Sequence, residues 1–195
     1  MRYEADHKQE TRSRVIKAAA RAIRAHGPHK VGVAAIMAEV GLTHGGFYAH
    51  FPSKDDLVAE AIGEMFAQGG RRMSRTMTTM PPADALAAYV DFYLSIEHRD
   101  ARSTGCPLPF LAADAPRLPA AARERFARGA RALADRLTQH FAALDRADPS
   151  ADGQSLLAEM VGALSLARAD PDEARSDALL ATSRAALKAR FHLES

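Results

Sequence analysis

Apolar side chains return at the helical period along almost the whole of this 195-residue chain. Glycine and proline fall between the periodic segments as punctuation, alanine is abundant, and β-branched runs are short. The pattern predicts an all-α fold, with no internal repeat and no low-complexity tract. Apolar residues make up 47% of the chain and charged residues 26%, which excludes wholesale disorder. One Cys can build neither a disulfide framework nor a multi-Cys zinc site. No apolar run approaches the roughly 18 residues of a transmembrane helix. The polar start MRYEADHKQE lacks the apolar stretch of a secretory signal, so a reducing cytoplasm is the expected compartment.

The net charge of +2 hides a division. Residues 1–54 hold nine Lys/Arg and four Asp/Glu, a balance of +5, and residues 55–195 hold seventeen and twenty, a balance of −3. A basic N-terminal quarter on a mildly acidic remainder suits a small module for a polyanion, although a solvated helix face gives the same excess.

The first helix is predicted from about Lys8 to His26. Val15, Ile16, Ala19, Ala22 and Ile23 fall in one sector of about 120°, and Arg14, Lys17, Arg21 and Arg24 in a sector of about 80° on the other side. One face can pack while the other stays wet and positive. Gly27 is placed for a left-handed C-cap, and Pro28 prevents continuation. A second helix follows over about 33–40, with Ile36 and Val40 on its buried face and Val33 one turn earlier. Gly32 is its candidate N-cap, without a side-chain oxygen. Gly41 permits a sharp turn, and Thr43 is expected to cap a short third helix over about 44–50. Two short helices joined by a three- or four-residue turn containing Gly form a helix-turn-helix. Ser53 and Asp56 then resemble a capping box opening a fourth helix over about 54–75, with Gly69 and Gly70 as a bend inside it.

The domain boundary is placed at residues 53 and 54: a helix-turn-helix domain over 1–53, and a helical ligand-sensing and dimerisation domain over 54–195. Further helices are expected at about 83–98, 107–114, 119–145, 151–169 and 172–191, with loops at 99–107 and 115–119. Leu156, Leu157, Met160, Val161 and Leu164 form one apolar stripe, and Leu179, Leu180, Leu187 and Phe191 part of another. Gly162 and Ala163 let a neighbouring helix approach closely, inside the monomer or across a two-fold axis.

In a helix-turn-helix the second helix enters the major groove and its N-terminal part meets base edges. Here that helix is THGGFYAHF. Thr43 offers a hydroxyl, His44 donors or acceptors, and Gly45 and Gly46 a backbone that can come very near DNA. Phe47 is the apolar anchor turned back onto the first two helices. Tyr48 and His50 carry polar tips for phosphate oxygens, and Lys54 opens the fourth helix where charge and free amides clamp a phosphate. His44 and His50, six residues apart, share no helix face, and no Cys or carboxylate cluster completes a metal site.

The run VAAIMAEVGLT from Val33 to Thr43, followed by HGGFYAHFPSKDDL, resembles the DNA-binding domain of the TetR family of bacterial transcriptional regulators. The resemblance covers roughly residues 10–60 and is carried most specifically by the F-Y-x-H-F-x-S-K stretch. It implies a homodimer with a ligand-responsive helical domain above two DNA-binding heads. The expected partners are a palindromic double-stranded operator and a small-molecule effector, with no cofactor and no catalytic residue. By motif position Thr43, His44, Tyr48, His50 and Lys54 inherit DNA-contact roles. The chain departs from the family where Gly32 replaces a usual Thr or Ser, where Ala34 replaces a frequent polar or basic residue, and where Met37 replaces a frequent Ala.

Cys106 lies in TGCPLP. With Pro107 at the first position of a helix, Cys106 is the N-cap, where the helix dipole lowers a thiol pKa. A regulator switched by oxidation or alkylation of Cys106 is one reading; a small buried apolar residue is the other. Tyr93, Phe110, Phe126 and His140 join Cys106 as candidate effector contacts, all of them residues that also serve as ordinary core. Two competing functions remain. A small helical thiol enzyme using Cys106 requires a base such as His98 or His140, and no motif supplies one. A non-specific DNA packaging protein requires more positive charge than +2.

Overall fold

In the computed structural model, which describes residues 2–77 and 79–193, helix α1 (Arg2–His26) starts earlier than its apolar period suggests and buries Val15, Ala19 and Ile23. Gly27 ends it at φ +83°, its N–H on the Ile23 carbonyl at 2.8 Å. This is the left-handed C-cap that a residue without Cβ adopts without strain. Helix α2 (Val33–Glu39) packs Ile36 and Met37 inward, and Gly41 turns the chain at φ +75°. The next segment, His44–Ala49, is a 3₁₀ helix, where the sequence reads as α-helix. Thr43 precedes it in extended conformation without the expected side-chain cap; its carbonyl, not its hydroxyl, takes the Gly46 N–H at 3.1 Å.

Helix α3 (Lys54–Met77) opens as the Ser53/Asp56 pattern predicts. The Asp56 N–H donates to Ser53 Oγ at 3.1 Å, and that hydroxyl donates to Asp56 Oδ2 at 2.7 Å. The helix runs through Gly69 and Gly70 without interruption, and the guanidinium of Arg136 lies over Gly70.

The segment expected as one helix over 83–98 is two: α4 (Pro82–Tyr93) and α5 (Ile96–Asp100). Ser95 breaks it, accepting the His98 N–H on its side chain at 3.0 Å and so restarting the helix as an N-cap. Helix α6 (Leu108–Leu111) is a single turn whose N-cap is Pro107, one residue after the expected Cys106. A 3₁₀ turn (Ala115–Arg117) leads to α7 (Ala120–Ala142), α8 (Pro149–Ala169) and α9 (Glu173–Phe191). Asp148 and Asp172 cap the last two through their side chains.

Helix α3 packs along α1 on one side and α7 on the other, while α7, α8 and α9 pack in sequence. One core runs from Val15 to Leu193 through both halves. Two glycines set the closest approaches. A Cβ on Gly129 would lie 2.2 Å from the Phe66 ring, and one on Gly153 would lie 2.6 Å from Thr138 Oγ1 and 2.8 Å from its backbone nitrogen. Gly162 faces outward with open space around it, and Leu166, one turn on, is 63% exposed. None of the described helices is long and apolar enough to cross a membrane.

Candidate nucleic-acid interface

A 3₁₀ helix has three residues per turn, so side chains three apart line up. That period aligns Phe47 with His50 in an inner row and Gly45 with Tyr48 in an outer row of this segment, with His44 exposed at the start of the inner one. Phe47 points inward, 1% exposed, and stacks on Phe51 at 5.5 Å between ring centroids. Tyr48 belongs to the outer row at 69% exposure, its ring edge-on to Phe47 at 5.2 Å. Gly45, three residues before it, is exposed, with nothing within 4 Å of where a Cβ would stand. Gly46 is half-buried over the Met37 terminal methyl, 3.8 Å from its own Cβ position.

Thr43 and His44 are exposed at the start of the segment, and Lys54 is exposed at the start of α3. The Thr43 hydroxyl, spared from capping, stays available to an outside partner. His50 falls on the Phe47 row. It is half-buried, and its Nδ1 is enclosed without a hydrogen-bond partner among the described residues, so only Nε2 offers a route to a phosphate. Burial and the cations of Lys8 and Arg12 hold its pKa below the usual histidine value.

Much of the positive stripe on α1 is committed to holding this segment. Arg12 pairs with Glu60 on α3, donates to the His50 carbonyl at 3.3 Å and lies over the Phe51 ring at 4.8 Å. Arg14 donates to the Val40 carbonyl at 2.7 Å, and Arg21 pairs with Glu39 at 2.6 Å. Arg24, expected on the wet face, is 6% exposed. Sequence reasoning counted these arginines as a field and missed them as brackets. The partners of Arg12, Arg14 and Arg21 lie 18 to 48 residues away, and no local spacing announces such pairs.

Of the candidate effector residues, Tyr93 and Cys106 come together. With Tyr89, Phe92, His98 and Arg72 they line a cavity of about 20 Å³ between α3, α4 and the loop before α6. That is room for roughly one water. The fully buried Tyr93 hydroxyl has no well-aligned partner among the described residues, and the Cys106 thiol is the polar group beside it. His98 is tied at both nitrogens: Nδ1 donates to the Tyr93 carbonyl at 2.8 Å and Nε2 accepts the Cys106 N–H at 3.1 Å. Its burial pulls the pKa down to about 4, so it is neutral. Burial pushes the Cys106 thiol up, outweighing the Tyr93 hydroxyl, the Leu108 N–H and the cations of Arg168 and Arg24. The lowered thiol pKa expected of a helix N-cap is therefore absent, because one turn of helix has little dipole to set against desolvation. Phe126 sits edge-on to Phe66 at 5.7 Å, Phe110 is half-buried against the core, and His140 lies in a groove between α3 and α7.

Residues 15–61 match the model of bacterial regulatory proteins of the tetR family. None of the curated proteins matches the sequence. The fold is similar to that of reduced NemR from E. coli, with 21% identity, a TM-score of 0.81, and 92% of this chain and 95% of that one covered. It is also similar to TetR-family regulators from Chloroflexus aurantiacus (23%, TM-score 0.80, 96% of each chain) and Agrobacterium tumefaciens (23%, TM-score 0.77, 91% and 97%). Residues 15–61 thus form a tetR-family N-terminal domain, on a chain whose all-helical fold is similar to that of TetR-family transcriptional regulators.

Proposed function

We propose that this regulator is a repressor: a cytoplasmic homodimer that binds a palindromic double-stranded operator in sequence-specific fashion and is released by a small molecule. The observation that carries the reading is the split between Phe47, closed into the core, and Tyr48, 69% exposed beside Gly45, His44 and Thr43. An anchored backbone with exposed polar tips is what groove recognition needs. In this reading Thr43 and His44 meet base edges, Gly45 and Gly46 allow close backbone approach, and Tyr48, Lys54 and the free nitrogen of His50 take phosphates. The outward face of α8 at Gly162 and Leu166 supports the two-fold pairing that would set the two heads about one helical turn apart. An effector releases the operator by binding better to a head spacing that misfits it. Titration of the protein against a duplex selected from a random pool and its scrambled counterpart tests this; sedimentation reads the dimer.

A second reading has the Cys106 thiol as the switch. It is favoured by the Tyr93 hydroxyl and Leu108 N–H that face the sulfur and would stabilise a thiolate. The NemR structure, similar in fold, is of that protein's reduced form. Against it stands the raised thiol pKa. Treatment with N-ethylmaleimide, in which sulfur bonds to the alkene carbon and the thiol proton passes to its neighbour, should release operator from the parent and not from Cys106→Ser. A thiol enzyme finds little support: His98 has both nitrogens on backbone groups, and His140 turns Nδ1 to the Arg136 carbonyl at 2.9 Å.

A further inference from the structure

A far larger open space than the Cys106 cavity lies away from it. A groove of about 520 Å³ runs between α3 and α7 and continues into a second of about 400 Å³, the two sharing Ser74 and Arg136. From Phe66 to Met77 it follows α3 for about 17 Å at the helical rise. Its floor is apolar: Phe66, Leu133, Met73 and Met77 are all buried there. Its rim is cationic, with Arg71, Arg75 and Arg136, and His140 lies beside them; among the described residues neither Asp nor Glu lines it.

That charge sits on an acidic body. Residues 55–195 carry a balance of −3, and several arginines of the body pair with carboxylates: Arg146 with Asp152, Arg175 with Asp170, Arg99 with Asp177. Arg71 has Glu64 at 3.0 Å, but Arg75 and Arg136 have no carboxylate partner among the described residues. Arg136 is half-buried and pre-oriented. Its Nη1 donates to the Gly70 carbonyl and to Ser74 Oγ, both at 2.8 Å, which fixes the guanidinium across the groove. A positioned guanidinium over an apolar floor recognises an anionic head carrying a hydrocarbon body, because the head takes a charge-assisted hydrogen bond while the body leaves water. The length of the groove suits an extended chain.

We propose that the α3–α7 groove binds amphipathic organic anions, a carboxylate or sulfonate on an alkyl chain, and that it is the effector site of the regulator. The second clause rests on the reading of the chain as a ligand-released DNA-binding protein. Helix α3 is the physical link, since it carries Lys54 at one end and the groove at the other.

The test is calorimetric titration of the full chain with decanoate, below micelle-forming concentrations, beside decanol and decyltrimethylammonium. Decanoate should bind at least tenfold tighter than either. The exposed Arg75→Gln and the double variant Arg75→Gln, Arg136→Gln should progressively remove that preference, with circular dichroism melts confirming that both fold. Equal binding of the three probes, or a preference that survives the double variant, would overturn the site. If Arg136→Gln unfolds the chain, Arg75→Gln alone still decides, because a cationic rim predicts at least a threefold loss there. Operator affinity is read separately. Release by decanoate, lost in the variants, supports the effector role, and binding without release removes that role while leaving the site. A parent that binds no duplex at all would sink the regulator reading and leave the calorimetry intact.

Discussion

Arg24 on α1 donates its Nε–H to the carbonyl of Gly105 at 3.0 Å, tying the first helix of the DNA-binding head to the loop that holds Cys106. The same guanidinium reaches Gln68 Oε1 at 2.9 Å and, at 3.4 Å, the Met65 carbonyl. Gln68 in turn donates to Glu64 at 2.9 Å. Burial brings the Arg24 pKa down to about 10, which still leaves it charged. Gly105 has no room for a side chain: a Cβ there would meet Arg168 Nη2 at 2.9 Å and the Ala101 carbonyl at 3.0 Å.

Arg24→Met keeps the apolar stem and deletes three hydrogen bonds from a charged donor. Leaving the Gly105 carbonyl without this donor should cost about 2–3 kcal/mol. Arg24→Lys, with one donor direction in place of a planar fork, should recover less than half of that. Urea unfolding curves measure both.

His98 gives the fold a pH dependence with a definite sign. Its folded-state pKa of about 4 lies below its ordinary value of 6.5, so the stability it contributes is full above about pH 6.5 and is lost as the pH falls toward 4. The shift corresponds to about 3 kcal/mol across that window. Between pH 7 and 4.5 the parent should lose about 2–3 kcal/mol more than His98→Gln, whose side chain does not titrate. Parallel unfolding curves at the two pH values give the difference.

Gly153 and Gly69 should respond oppositely to alanine. At Gly153 the added carbon meets the Thr138 backbone, and the α7–α8 approach must open, costing about 1–3 kcal/mol. At Gly69 nothing lies within 4 Å, so the better helix former should gain about 0.5–1 kcal/mol. Thermal melts should move down by several degrees in the first case and up slightly in the second.

The inner and outer rows of the recognition segment separate folding from binding. Phe47→Ala empties a site 1% exposed and should cost about 3–5 kcal/mol. Tyr48→Phe removes only an exposed hydroxyl and should leave stability within about 0.5 kcal/mol.

The helical period made the all-α fold legible, and the local chemistry of turns made the head legible. Gly27, Gly41 and the Ser53/Asp56 pair act within four residues of themselves, and each stands as its neighbours predict. Three things escaped. The 3₁₀ winding of residues 44–49 was invisible, because the α and 3₁₀ periods cannot be told apart over six residues; it is what carries His50 inward. The break at Ser95 was hidden by apolar residues on both sides of it. The inward turn of Arg24 depends on the Gly105 carbonyl, 81 residues away, and burying an arginine contradicts its position on a polar stripe. The Cys106 expectation failed for a related reason, since desolvation is a property of the packed neighbourhood and not of a cap position.

The most direct measurement is operator titration by gel shift with Thr43→Ala, His44→Ala, Tyr48→Phe and Lys54→Ala, each against the selected duplex and single-base variants of it. Tyr48→Phe and Lys54→Ala should weaken binding evenly across all duplexes, as lost phosphate contacts do. Thr43→Ala and His44→Ala should change the preference among bases by about 1–3 kcal/mol. Unchanged affinity and unchanged preference in all four variants would contradict a recognition segment that begins at Thr43 and faces DNA.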